Sequence, residues 1–190
     1  MSQYLALDGT DTDFYPEGIT PTVAQVIRAS GIIDTYCKRE IKTKPYTERI
    51  PLTSAQRGHL TFYPVIEVTA ASGRAAQGII GGFFGPPEFE SISDLSLLDI
   101  DRSIGSLWCG GSPFGMPYSE LEITYTSGWD IIPDKVKVAC GLLIGKLATN
   151  YDSNVKSKKD FDFSIEYFGS GMVTPEIADL LAEYQLMTFR

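Results

Sequence analysis

Hydrophobic and polar positions change their period several times along this chain, and the sharpest change falls between Glu120 and Asn150. Leu121, Ile123 and Tyr125 alternate with Glu122, Thr124 and Thr126, the alternation of a half-buried strand. Ser127 and Gly128 end that run, because glycine enters turn conformations that a side chain forbids. Trp129, Ile131 and Ile132 then make an apolar elbow that leads to Pro133, whose fixed φ suits the first turn of a helix. Asp134 puts a negative charge at the positive end of the helix dipole. Val136, Ala139, Cys140, Leu143 and Leu147 follow at helical spacing. The pattern predicts a strand that turns sharply into a buried helix, with Gly128, Trp129 and Pro133 as the structural elbow. Core packing is the natural use of Trp129 at that bend.

The same reading extends outward. Thr20 and Pro21 open a helix as cap and first-turn proline, and Val23, Val26, Ile27, Ser30, Ile33 and Cys37 share its face. It ends near Lys38 and Arg39. Residues 46–52, 59–63 and 66–70 read as strands rich in Thr, Tyr, Ile and Val. Residues 73–118 are the least regular. Glycines and prolines from Gly78 to Pro87 are interleaved with Phe83 and Phe84, residues 92–100 suit a short strand or helix, and residues 108–115 form a second aromatic loop holding Trp108 and Phe114. Such loops either fold over a core or meet a partner. Residues 151–159 read as a polar loop with Lys156, Lys158 and Lys159, either a solvated loop or a docking patch. Phe161, Phe163, Ile165 and Tyr167 alternate with polar residues, as in a short strand or extended arm. Thr174, Pro175 and Glu176 open a last helix with Ile177, Leu180, Leu181, Tyr184 and Met187 on its apolar face.

The fold expected is α+β: a small helical bundle, with helices near residues 20–39, 133–150 and 174–187, carrying a β-rich insert at about 46–126. The 190 residues suit one domain, with the insert (44–127, its Gly/aromatic loops at 73–118) inside the helical frame.

Charge narrows the function. A net charge of −8 disfavours a surface that grips nucleic acid, since phosphate binding is carried by clustered Lys and Arg. It allows a protein past which DNA slides. The three cysteines, Cys37, Cys109 and Cys140, are widely spaced, with no zinc or CxxC pattern, and fit a reduced protein made inside a cell. No secretory leader or apolar run long enough to span a membrane is legible.

Candidate chemistry is sparse. The acidic stretch 8–13 lacks both the glycine and the closing glutamate of a calcium loop. Residues 81–85 are no phosphate loop, lacking the lysine and the following helix. His59 reads as a surface or strand-edge residue, and Cys109 lacks an adjacent base. Asp99/Asp101 and Asp160/Asp162 are spaced to share a strand face, so a carboxylate hydrolase stays open beside the plainer reading of surface acids. No catalytic residue, metal ligand or cofactor is assigned. A small β-rich binding module that stacks ligands on Trp108, Trp129, Phe83 or Phe84 is a further reading.

Two segments carry a resemblance. ASGIIDTYCKRE (29–40) ends a helix, and ITYTSGWDIIPDKVKVACGLLIGKLATN (123–150) joins the last strand of a β-rich stretch to the next helix. With TPEIADLLAEYQ (174–185) closing the chain, this order resembles the head–tail connector, or adaptor, proteins of phages and prophages. The family usually begins with an additional helix, which residues 1–19 do not suggest. The resemblance implies a structural virion protein at the head–tail junction with no enzymatic activity. Such adaptors form a ring of about twelve copies under the portal protein, extend the DNA channel and dock a head-closure or tail protein. DNA passes through the lumen without sequence-specific binding. Phe83, Phe84, Trp108, Phe114, Lys156, Lys158 and Lys159 would then be candidates for contact with neighbours. Another neck or tail completion role is the nearest alternative.

Overall fold

A computed structural model describes residues 3–76, 87–111, 115–148, 157–160, 163–166 and 172–186. The chain divides into two compact units, Thr43–Asp130 and the combination of Met1–Lys42 with Ile131–Arg190.

The middle unit is built on antiparallel strands. β1 (Lys44–Pro51), β3 (Val65–Ala75), β4 (Glu90–Ser91) and β7 (Tyr118–Ser127) form one sheet in the order β1-β7-β3-β4. β2 (Arg57–His59), β5 (Leu98–Asp101) and β6 (Ser106–Cys109) form a second, in the order β2-β6-β5. β7 is central. It pairs with β1 without a break from Lys44↔Ser127 to Pro51↔Glu120, and with β3 through three register shifts. Its alternation puts Leu121, Ile123 and Tyr125 fully out of water, joined by Leu60, Leu107 and Cys109 in one apolar core. A polar clip ties the β2–β3 connection down. Glu48 accepts from the Tyr125 hydroxyl at 2.7 Å and from Thr61 N–H at 2.8 Å, and Tyr46 stacks on Phe62 with ring centroids 4.0 Å apart.

The other unit holds α1 (Val23–Cys37), α2 (Asp134–Ala148), α3 (Pro175–Leu181) and a hairpin of β8 (Ser157–Asp160) and β9 (Phe163–Glu166). Val26, Ala29, Ile33 and Cys37 of α1 are fully buried, as are Val136, Ala139, Cys140 and Leu143 of α2, so each helix hides one stripe. The N-terminal segment straps this pair. Tyr4 is buried, takes its own N–H to Ser30 Oγ at 3.2 Å, donates its hydroxyl to Asp34 and accepts from Ile41 N–H at 2.8 Å. A short 3-10 turn, Thr12–Phe14, lies so close to α2 that a Cβ on Gly141 would sit 2.1 Å from the Phe14 carbonyl oxygen.

The expected helical bundle with a β insert is overturned: the described chain is mostly antiparallel sheet, with three short helices. β7 and its partners close an apolar core of their own. Two strands lie where loops were expected. Ser106–Cys109 is β6, and Ser157–Asp160 is β8. At four residues each, they are too short for alternation to stand out from their Gly-rich or Lys-rich surroundings. The α1 cap also moves. Thr22, not Thr20, accepts from Gln25 N–H at 3.3 Å, and Gln25 Oε1 accepts from Thr22 N–H at 2.9 Å, a reciprocal capping box. No described helix is long and apolar enough to cross a membrane.

Candidate functional site

The elbow is built as a sharp stop. Gly128 sits at φ 118°, a backbone shape a side chain would strain, and its N–H donates to the Pro64 carbonyl at 3.1 Å. The Trp129 carbonyl accepts from Thr43 N–H at 3.3 Å. Pro133 precedes α2, and its carbonyl accepts from Val136 and Lys137 at 2.9 and 3.1 Å. The elbow's apolar residues do not act together. Trp129 and Ile132 are half-buried, whereas Ile131 is 80% exposed. The boundary between the two compact units falls here, between Asp130 and Ile131.

Trp108 lies on a strand rather than a loop, and 47% of it is exposed. The register sets it in a row, Arg57↔Trp108↔Asp99, beside a second row of His59↔Ser106↔Asp101. Leu107, pointing the other way, is buried in the core. This outward face borders a cleft of about 250 Å3. Asp101 is engaged locally. Its carboxylate accepts from Ser103 Oγ at 2.6 Å and Ser103 N–H at 3.0 Å, and those bonds hold it below the usual carboxylate range. His59 is exposed on the edge strand β2, with Nδ1 2.9 Å from the Leu60 carbonyl.

The thiols are inert by burial. Desolvation pushes Cys37 and Cys140 up to about 12 and Cys109 to about 11, so none supplies thiolate near neutral pH. All three are free. In the acidic stretch, Asp8 binds the Thr10 hydroxyl and N–H, and Asp11 pairs with Lys137 at 2.7 Å, which engages the carboxylates a cation would need. Among the described residues no group of three or more His, Cys, Asp or Glu side chains is placed to hold a metal ion.

Phe83, Phe84, Phe114, Lys156 and Asp162 lie outside the described residues. Lys158 and Lys159 fall on β8, paired with Ile165 and Ser164 of β9. Sequence reasoning passed over a groove of about 850 Å3 beside α1 in the helical unit. Ile32, Met172, Val173 and Leu186 supply its apolar surface, and Arg28 and Lys38 its charge. Its residues come from segments more than a hundred positions apart, so no local pattern announces it.

A scan of protein-family profiles matches none to this chain, and a search of curated proteins returns no match. Among solved structures, the chain is similar in fold to one from a reconstruction titled as the neck of an empty GTA particle computed with C6 symmetry. The TM-score is 0.52 at 13% identity, and the likeness covers 100% of this chain and 96% of that one. At that identity, what is shared is the fold.

Proposed function

We propose that this chain is a structural subunit of the neck of a phage-like particle: an adaptor that rings the channel under the portal, lengthens the DNA conduit and docks the next neck or tail component. The observation that carries this reading is the end-to-end likeness to a neck chain, which spans nearly the whole of both proteins. The adaptor-like order of segments 29–40 and 123–150 points the same way. A ring needs two different complementary surfaces on each subunit, so that contacts repeat head to tail and close by rotation. Six-fold symmetry in the similar particle is compatible with six or with twelve copies. The net charge of −8 suits a conduit that DNA traverses without sticking.

Electron cryo-microscopy of particles made with and without this gene tests the proposal. The expected result is density for the chain between portal and tail, and necks that are incomplete or leak DNA without it. Intact necks in its absence would overturn the reading.

A ligand-binding module is the second reading, favoured by the exposed Trp108 between Arg57 and Asp99. It expects glycan or peptide binding that Trp108→Ala abolishes while particle assembly is untouched.

A further inference from the structure

One exposed apolar side chain and one apolar groove in the helical unit have opposite electrostatic frames. Ile131 is 80% exposed, the most open of the large hydrophobic residues described. Asp130 and Asp134, both exposed, flank it. Ile132 and Pro133 between them are half-buried, which leaves Ile131 standing out as a knob. The groove beside α1 is the converse. Its apolar lining includes Ile32, Met172, Val173 and Leu186, and its cations are Arg28 and Lys38. No carboxylate is among its described lining residues. Arg28 and Lys38 form no ion pair among the described residues, so their charge is available to a newcomer. Gly31, on the groove, has no atom within 4 Å of where a Cβ would stand, so the opening is unobstructed there.

We propose that the Ile131 knob of one copy seats in the Arg28–Ile32–Lys38 groove of the next copy. Ile131 leaves water against the apolar lining, while Asp130 and Asp134 meet Arg28 and Lys38 at the rim. The contact is heterologous: each subunit offers a knob at one place and a groove at another, so every copy can take one neighbour and give to one. A dry centre with a charged border is the anatomy of specific interfaces. This inference rests on the ring reading above and names the surfaces that would close it.

Particles are assembled with Ile131→Cys combined with either Gly31→Cys or Thr35→Cys, and treated with diamide. The native thiols are buried and give little background. The expected result is a ladder at multiples of 20.9 kDa on a non-reducing denaturing gel, absent from each single variant. Three outcomes overturn the contact: monomers only from both pairs in particles whose necks are complete, a fast-migrating monomer that shows the knob filling its own groove, or capture of a different neck protein by the groove thiol. As a second arm, Arg28→Glu lowers incorporation into necks at least tenfold, and adding Asp130→Arg restores it. An Arg28→Glu chain with native circular dichroism and wild-type incorporation overturns the proposal too. The two readings fail separately. A ladder from purified protein that is missing from necks sinks the neck role alone, whereas complete necks without cross-links sink this contact alone.

Discussion

The two units of this molecule are held by different means. In the strand unit, order comes from one continuous ladder: β7 runs between β1 and β3, and its alternating side chains fill the core. In the helical unit, pieces distant in the chain are fastened by a few polar contacts. Tyr4 reaches Ser30, Asp34 and Ile41, and Asp11 reaches Lys137 across 126 positions. Both units bury apolar stripes, but in the second the N-terminal segment is also fastened by particular polar bonds. The two should therefore respond differently to single substitutions.

The largest effect is expected at the strap. Lys137 and Asp11 are mostly buried, with side chains 17% and 9% exposed. Lys137→Ala removes the cation from a buried carboxylate, leaving it the Ala6 N–H at 2.7 Å, and should cost ~3–5 kcal/mol by urea denaturation. Its neighbour Lys135 pairs with Glu183 in the open, at 57% and 51% exposure, so Lys135→Ala should cost less than about 1 kcal/mol. Equal losses at both sites would erase the distinction drawn for the helical unit.

In the strand unit, truncation at the core comes next. Leu121→Ala should cost ~2–5 kcal/mol, because Leu121 is fully buried and its truncation opens a cavity in the core. Leu97→Ala, at 43% exposure, should change the same midpoint little.

Gly141→Ala sharpens the contrast within α2. Alanine favours a helix by roughly 1 kcal/mol over glycine, yet here its methyl would meet the Phe14 carbonyl oxygen. A net loss of about 1–3 kcal/mol is expected, with faster hydrogen exchange in residues 4–16. At Gly145 the nearest atom to an added Cβ is Pro16 Cβ at 3.4 Å, an ordinary contact, so Gly145→Ala should be neutral or stabilising.

At neutral pH the smallest effect is the pH-linked one, which grows only in alkaline solution. Cys37 and Cys140 are raised from the ordinary 9.0 to about 12, so between those values the unfolded chain releases protons that the folded one keeps. Stability from these thiols is fully present below pH 9 and drains away as pH rises towards 12. Ellman's reagent at pH 8 should find little thiol in the native protein and three per chain in guanidinium. Rapid native labelling would show the helical core to be open.

How legible the fold was follows from the same contrast. The alternation at Leu121, Ile123 and Tyr125 and the stop at Gly128 are local, and they could be read directly. So could the helical stripes, since their signal lies within a few turns. Ile131 departs from the apolar elbow because hydrophobic character alone does not say which side of a bend faces water. Trp108 looked like a loop residue because its strand is four residues long. The Glu48–Tyr125 clip and the Asp11–Lys137 pair join positions 77 and 126 apart, and no window on the sequence contains either. The Thr22–Gln25 capping box, by contrast, was present as a T-x-x-Q pattern and could have been found.

Thr43 and Trp129, near the two ends of the strand unit, are joined by a hydrogen bond, and the first pair of the β1–β7 ladder, Lys44↔Ser127, lies just inside it. Entry and exit thus share one doorway. A segment whose two ends already touch can be cut out and its gap bridged by a short linker, or swapped for another sheet of the same footprint, without re-threading the helices.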